Sequence, residues 1–331
     1  MSTRVLITGG AGFIGCRLGL ALAADPDVEI AVTDDFRRGH DDDTFRELCR
    51  CPNVTFVAVD LCDSNALAAL PGPFDYIYHL AAMVGVARCM SQPYDVLCNN
   101  IRSTLNVVEF ARRWACRKLL FASTSEVYAG GYALETIEIP TDERVPVVID
   151  DVTNPRTTYA ASKIVGEQMI IHGCPLSGIG YVIVRLHNVY GPRMGYAHVI
   201  PEVIRRTVEK EDPMRVYGHD QTRAFCYVDD AVAGMRTVMD NVSNEIIHIG
   251  TGEETGIADL YEMVLSRMGH NPERIPAPAP VGSVARRCPD VSRIRKLTGW
   301  KPNTTLAEGL ETTCLWYQTD LHLTGAAAEH A

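Results

Sequence analysis

Short apolar runs and longer helix-period segments take turns along the first half of the chain. RVLIT (4–8), EIAVTD (29–34), NVTFVAV (53–59) and FDYIYHLAA (74–82) are brief, rich in β-branched and aromatic residues, and bounded by polar or turn residues. Runs of that kind predict strands buried on both faces. AGFIGCRLGLALAA (11–24) and NNIRSTLNVVEFARRW (99–114) instead carry apolar residues at helical spacing. KLLFAST (118–124) then reads as a strand, TTYAASKIVGEQMIIH (157–172) as a helix and GYVIVRLHN (180–188) as another strand. Strands joined by helical crossovers predict an α/β fold, a doubly wound parallel sheet, over residues 1–185.

Past residue 185 the alternation fades and proline becomes frequent, in VEKEDPMRVYG (208–218) and ERIPAPAPVG (273–282). Residues 186–331 are expected to form a smaller, mixed α/β domain that supplies the substrate contacts. EIIHIGTG (245–252) still reads as a strand, so the stretch 228–256 is expected to return to the main sheet. No internal repeat is visible, and the only biased segment is the short tail GAAAEHA (325–331).

Composition narrows the classes. With 331 residues, 47% of them hydrophobic, the chain has ample material for a core. No apolar run approaches the ~20 residues that span a bilayer, and no signal-type core follows MSTR, so neither membrane insertion nor secretion is expected. The eleven cysteines are scattered, with no CxxC pair and no Cys/His cluster at zinc spacing. Neither disulfides nor a metal is expected, and the location suggested is a reducing cytoplasm. A net charge of -10 disfavours nonspecific binding to nucleic acid. Any anionic small ligand must then be met by arginines placed locally.

TGGAGFIG puts Gly9, Gly12 and Gly15 where the first strand turns into the first helix. Backbone without side chains can approach a pyrophosphate there, at a helix N-terminus, which is the Rossmann arrangement. Asp34 ends the second strand 19 residues after Gly15, where a carboxylate accepts hydrogen bonds from an adenosine ribose and repels a ribose phosphate. NAD is therefore expected over NADP, although Arg37 and Arg38 would serve a 2'-phosphate if Asp34 pointed away. Asp60, with Leu61, fits either an adenine contact or an ordinary strand-end turn.

YAASK (159–163) sets a tyrosine four residues before a lysine. On a helix the two share a face, and an ammonium near a phenol lowers the pKa of the phenol toward working pH. The spacing alone fits equally a core tyrosine and a surface lysine. What decides is the order of motifs: TGGAGFIG, YHLAA, ASTSEVY, YAASK and RLHNVYGP, followed by QTRAFCYVDDA, RRCPD and KLTGWKP. Together they resemble the extended short-chain dehydrogenase/reductase superfamily, in particular its NAD-dependent epimerase/dehydratase branch acting on nucleotide sugars, over about residues 3–318.

The resemblance implies a catalytic set of Thr124, Tyr159 and Lys163, with the tyrosine taking the proton of a sugar 4-hydroxyl while hydride passes from C4 to NAD. A carbonyl at C4 acidifies the C5 hydrogen and labilises a carboxylate on C5, so one oxidation opens several products. The neighbours Ser125 and Glu126 make Thr-Ser-Glu, a combination that resembles UDP-glucuronate decarboxylases and GDP-mannose 4,6-dehydratases; Glu126 would act at C5 or position the sugar. The resemblance also implies cofactor contacts from Gly9, Gly12, Phe13, Ile14, Gly15, Asp34, Asp60, Leu61, Leu80, Ala81, Ala82, Tyr159 and Lys163. Substrate contacts would come from Ser125, Asn188, Val199, Arg223 and Arg287, and Tyr217 either stacks on the base or packs in the core. Tyr196 and His198, in PRMGYAHVIP, lie where the family lines its nucleotide pocket. The segment from Ala129 to Tyr159 is longer than usual and would border the sugar. UDP-glucuronate decarboxylation is the first specific expectation, with a 4,6-dehydratase or a C4 or C5 epimerase as alternatives. A homodimer through the helices near 99–115 and 158–172 completes the picture.

Overall fold

The structure is a computed structural model that describes residues 2–280 and 282–324; the tail GAAAEHA lies outside the described residues. Seven parallel strands form the main sheet. Six come in sequence order: β1 (Thr3–Thr8), β2 (Val28–Asp34), β3 (Val54–Ala58), β4 (Tyr76–His79), β5 (Lys118–Thr124) and β6 (Gly180–Leu186). The strand Glu245–Ile249 then returns and pairs with β6, as the pattern of EIIHIGTG predicts. Across the sheet the order is Glu245–Ile249, β6, β5, β4, β1, β2, β3, all parallel. Strand order reverses between β1 and β4, and in such sheets ligands bind at the carboxyl ends beside that point.

Alternation along each strand decides which helix layer its residues meet. Leu6, Ile77, Leu119, Phe121 and Ile183 join the core under one layer, whose main helices are α5 (Pro93–Trp114) and α7 (Thr157–Gly173). Ile7, Val32, Leu120 and Val184 belong to the other core, covered by α1 (Phe13–Ala23) and the long helix Val228–Asn241. α5 starts six residues earlier than the amphipathic run suggests, because Pro93 sits in its first turn, where a missing N–H costs nothing, and Val96 is already buried. Conversely, FDYIYHLAA is strand only from Tyr76 to His79; Leu80, Ala81 and Ala82 leave the sheet toward the glycine turn.

The later part of the chain adds small sheets over the same edge. Thr222–Ala224 pairs antiparallel with Glu254–Gly256 and parallel with Arg286–Arg287, which sets Arg223 beside Arg287. Met214–Tyr217 pairs with Arg274–Ala277, and Val189–Tyr190 with Cys226–Tyr227. Arg193 ties this part to the glycine turn: its guanidinium donates to the carbonyls of Ala11, Gly12 and His40 and pairs with Asp42 at 2.7 Å. The long segment before Tyr159 is anchored at both ends of its course. A short helix, Ala129–Ala133, opens it, Thr141 bridges to Pro289, and Glu143 is buried beneath His248, whose N–H it binds at 3.0 Å. Among the described residues no helix is long and apolar enough to cross a membrane, and no cluster of His, Cys, Asp and Glu could hold a metal ion.

Candidate active site

At the carboxyl end of β1 the backbone turns without room for side chains. Gly9 has φ +72°, and a Cβ there would lie 2.7 Å from the Ala81 nitrogen. A Cβ on Gly15 would lie 2.2 Å from the Gly9 carbonyl oxygen. Gly12 caps α1, whose first turn, Phe13, Ile14 and Gly15, presents N–H groups that no preceding turn can satisfy. Leu80 and Ala81 close the other side, their N–H groups bonded to the Thr8 carbonyl and hydroxyl. This is a cradle for a phosphate-bearing group at a helix N-terminus.

Asp34 ends β2 beside that turn, its carboxylate accepting the N–H of Ala11 at 3.0 Å and of Phe36 at 2.8 Å. Burial raises its pKa, and those two backbone bonds oppose the rise. It faces the turn, as ribose recognition requires. Arg37 is committed elsewhere: it pairs with Asp60 at 2.7 Å and Asp35 at 3.2 Å, and donates to Asn99. Asp60 also accepts the Cys62 N–H, so it makes the strand-end turn as well as an ion pair, and Leu61 beside it is buried. Arg38 runs the other way, to within 3.7 Å of a Cβ position at Gly195, and its charge is felt by Tyr159 and His198. Neither arginine waits at the ribose edge for a 2'-phosphate. The glycine turn and Asp34 therefore fit NAD.

Thr124, Tyr159 and Lys163 come together at the end of β5. Thr124 caps the turn Ser125–Tyr128, its hydroxyl accepting the Glu126 N–H at 3.2 Å, and it interacts with the Tyr159 phenol. Tyr159 and Lys163 sit one turn apart on α7, and the Lys163 nitrogen lies 5.9 Å from the Tyr159 ring centre. That ammonium donates to the Ala122 carbonyl at 2.7 Å and rests 4.6 Å over the Phe121 ring. Burial pushes its pKa down to about 7. Burial also raises the phenol of Tyr159, while Arg38 and Thr124 favour the phenolate. Ser125 is buried at the same strand end.

Beyond Glu126 lies the cationic end. Arg287 donates to the Glu126 carboxylate at 2.7 Å and, with Arg156 and Arg223 adding to the effect, holds its pKa below the usual carboxylate range. Arg223 donates to the Thr222 and Ala285 carbonyls and to Gln221 and Ser283; burial and its neighbour Arg287 push its pKa down to about 10. Three guanidiniums thus surround one carboxylate, an excess of positive charge in a chain of net charge -10. A cavity of about 240 Å³ opens beside Glu126, between the long segment (Ala129, Val148, Asn154, Arg156) and Ser283–Ala285. Asn188, with φ +37°, donates to the Ala224 carbonyl at 3.1 Å.

Other expected contacts stand further out. Val199 begins the helix Val199–Val208, and Tyr217 is 40% exposed with the Arg206 guanidinium 5.7 Å from its ring centre. Tyr196 packs edge-on against Tyr317 and donates to Asp320, which makes it part of the contact with the C-terminal helix Leu306–Thr324. Arg156, three residues before Tyr159, and Arg193 are functional candidates that the motif reading passed over. PRTTY carried no spacing rule to mark Arg156; only folding shows that it lines the cavity beside Glu126 and that its charge acts on Glu126 and Arg223.

This chain belongs to the NAD dependent epimerase/dehydratase family, whose pattern matches residues 5–250. It is 32% identical to the UDP-N-acetyl-alpha-D-glucosaminuronate decarboxylase of Bacillus cytotoxicus, over 96% of this chain and 98% of that one. It is 31% identical to UDP-glucuronic acid decarboxylase 1 of Xenopus tropicalis, over 96% of this chain and 73% of that one. Its fold matches the dTDP-glucose 4,6-dehydratase of Streptomyces venezuelae, solved with NAD bound, with a TM-score of 0.85 at 26% identity, over 97% of this chain and 98% of that one. The protein is thus an NAD-dependent enzyme of the epimerase, dehydratase and decarboxylase group that works on nucleotide sugars.

Proposed function

We propose that the enzyme decarboxylates a UDP-linked hexuronate, UDP-glucuronate or its 2-acetamido counterpart, after oxidation at C4. The observation that carries this reading is the convergence of Arg156, Arg223 and Arg287 on Glu126, one residue past Ser125 and within the reach of Tyr159. A neutral hexose needs cations only for its diphosphate. A hexuronate adds a carboxylate at C5, and the arginines around Glu126 offer the positive charge that would receive it. Relatives named as decarboxylases of sugar acids point the same way.

In this reading Thr124 orients the 4-hydroxyl, and Tyr159 takes its proton. Bound NAD supplies the hydride acceptor for C4. Lys163 favours the phenolate and holds the nicotinamide ribose, while Gly9, Gly12, Phe13, Ile14, Gly15, Asp34 and Leu80–Ala82 hold the rest of the cofactor. Once C4 is a carbonyl, the electrons released as the C5 carboxylate departs as carbon dioxide have a sink beside them; the protein must then hold that carboxylate, let C5 take a proton and, for the cofactor to be reused, let C4 be reduced again while Tyr159 returns its proton to the 4-oxygen. Glu126, kept ionised by Arg287, fixes the guanidinium rather than donating a proton itself. Arg223 serves the diphosphate and Arg287, with Arg156, the C5 carboxylate, while Asn188 and Val199 line the nucleotide side and the open face of Tyr217 serves the base. A homodimer through α5 and α7 is consistent with Leu105 and Val165, apolar and exposed on those helices.

The test is incubation with NAD and a panel of UDP-glucuronate, its 2-acetamido counterpart, UDP-glucose and dTDP-glucose in heavy water, followed by product masses. Release of carbon dioxide from a hexuronate is the expected result. Loss of water from a neutral sugar would make the enzyme a dehydratase, and deuterium gain or a change of stereochemistry without mass loss would make it an epimerase; either overturns the proposal.

A further inference from the structure

Behind the proton-transfer pair lies a fully buried polar network that the chemistry above does not use. Glu167, on α7, accepts from the Ser123 hydroxyl at 2.5 Å and from two guanidinium nitrogens of Arg185 at 2.9 and 2.6 Å. Arg185 extends from β6 and also donates to the Tyr128 hydroxyl at 2.6 Å and the Glu143 carbonyl at 2.9 Å. Tyr128 passes its proton-side bond on to His248, 2.6 Å away. One arginine therefore ties α7 to the strand end that precedes Thr124, to the turn that carries Glu126, and to the long segment lining the cavity.

The placement of Glu167 is what matters for chemistry. It follows Lys163 by four residues on the same helix, so the two share a face. Other groups around Lys163 offer it no negative charge. On its own helix Tyr159 is a phenol; β4 contributes His79, held neutral by burial between Thr8 and Thr104; β5 contributes the Ala122 carbonyl and the Phe121 ring. A buried ammonium keeps its proton only if a carboxylate compensates for lost hydration. Among the described residues, the Glu167 carboxylate, one turn along the same helix, is the charge that opposes the effect of burial on Lys163. Arg185 in turn, bonded to both Glu167 carboxylate oxygens, fixes where it points.

We propose that Glu167 is a positioning residue that keeps Lys163 protonated in the buried site, and that Arg185 holds it in place to do so. Lys163 then keeps the charge that lowers the working pKa of Tyr159. The inference concerns the tyrosine and lysine of the reading above, but its first readout needs no substrate.

The chain has only five lysines, Lys118, Lys163, Lys210, Lys296 and Lys301. Their ε-carbon signals in 13C-labelled protein can be titrated individually, with Lys163→Arg identifying the one in question. In Glu167→Gln the Lys163 midpoint should fall by about one pH unit or more, the other four staying in place. Should the unpaired Arg185 prevent that variant from folding, Glu167→Gln combined with Arg185→Met is compared with Arg185→Met alone, since losing the arginine by itself raises the Lys163 midpoint; the double variant must lie below that single variant. An unmoved Lys163 midpoint in folded Glu167→Gln, or a double variant no lower than Arg185→Met, overturns the proposal, whatever the substrate turns out to be. With a turned-over substrate in hand, the acidic limb of the kcat profile should shift to higher pH in the same variants, because a less charged Lys163 leaves the Tyr159 phenol harder to ionise. A lower kcat with an unshifted limb would mean that the network only stiffens the fold.

Discussion

The two ends of the cleft are built on different principles. At the proposed cofactor end the backbone would do the recognition: three glycines, a helix start and one carboxylate, all within the first 34 residues, form a turn that side chains would fill. At the proposed substrate end side chains would do it: Glu126, Arg156, Arg223 and Arg287 come from four separate segments, and only the folded chain pairs Arg287 with Glu126 and brings the charges of the other two to bear on it. Backbone recognition binds what every member of the family shares, and side-chain recognition is free to change with the sugar. Predictions that separate the two ends therefore test the whole reading.

The largest effect is expected where the ends meet. Tyr159→Phe removes the proton acceptor and nothing else, so kcat should fall by ~10²–10⁴ while NAD affinity, measured by calorimetry, stays within a few-fold. A loss of NAD binding of the same size would show that the tyrosine belongs to the cofactor cradle rather than to the chemistry. Next comes Gly15→Ala. Its Cβ would sit 2.2 Å from the Gly9 carbonyl, a backbone atom that cannot swing aside, so the turn itself must shift. Both NAD affinity and stability should drop, the latter by about 1–3 kcal/mol in denaturant unfolding. A variant as stable as the parent and binding NAD equally well would refute the cradle.

Sequence and structure agree best where a residue type has only one physical use. Glycine spacing, the carboxylate ending β2 and the period of the strands each follow from local rules, which is why the sheet, the turn and Asp34 could be read from the chain. The start of α5 at Pro93 escaped because Tyr94 and Asp95 interrupt the apolar rhythm before Val96 resumes it. Arg156 and Arg193 escaped for a different reason. An arginine in a loop is by default solvated, and only contacts over long separation, such as Arg193 with Ala11 and Asp42, show otherwise. The segment from Ala129 to Tyr159 read as a loop bordering the site; its anchors at Thr141 and Glu143 depend on partners more than 100 residues away.

Arg287→Met probes the substrate end alone. It leaves Glu126 without its strongest partner, so the Glu126 pKa should rise, the opposite of the direction in which Arg287 now holds it. For a hexuronate substrate kcat/KM should fall by roughly 10- to 150-fold, the consequence of losing a charge-assisted pair of about 1.5–3 kcal/mol, while NAD affinity is unchanged. Activity should be lost first at mildly acidic pH, where a Glu126 released from Arg287 takes up a proton. A variant that turns over a hexuronate normally would move the sugar acid away from these arginines and reopen the choice of product.

The smallest effect sharpens the cofactor end. Asp34→Ala removes the acceptor that faces the ribose hydroxyls, together with its bonds to the Ala11 and Phe36 N–H groups. A lost hydrogen bond to a charged group is worth about 1.5–3 kcal/mol, so NAD affinity should fall by roughly ten- to a hundredfold. Removing the carboxylate also removes its repulsion of a ribose phosphate, which on charge alone should favour NADP. NADP nevertheless needs a free cation at the ribose edge, and Arg37 is held in pairs with Asp35 and Asp60 while Arg38 points toward Tyr159 and Gly195. Asp34→Ala should therefore lose NAD without gaining NADP, and a calorimetric titration with both cofactors decides it. Tight NADP binding by the variant would mean that Arg37 leaves its two carboxylates readily, and that cofactor choice rests on Asp34 alone.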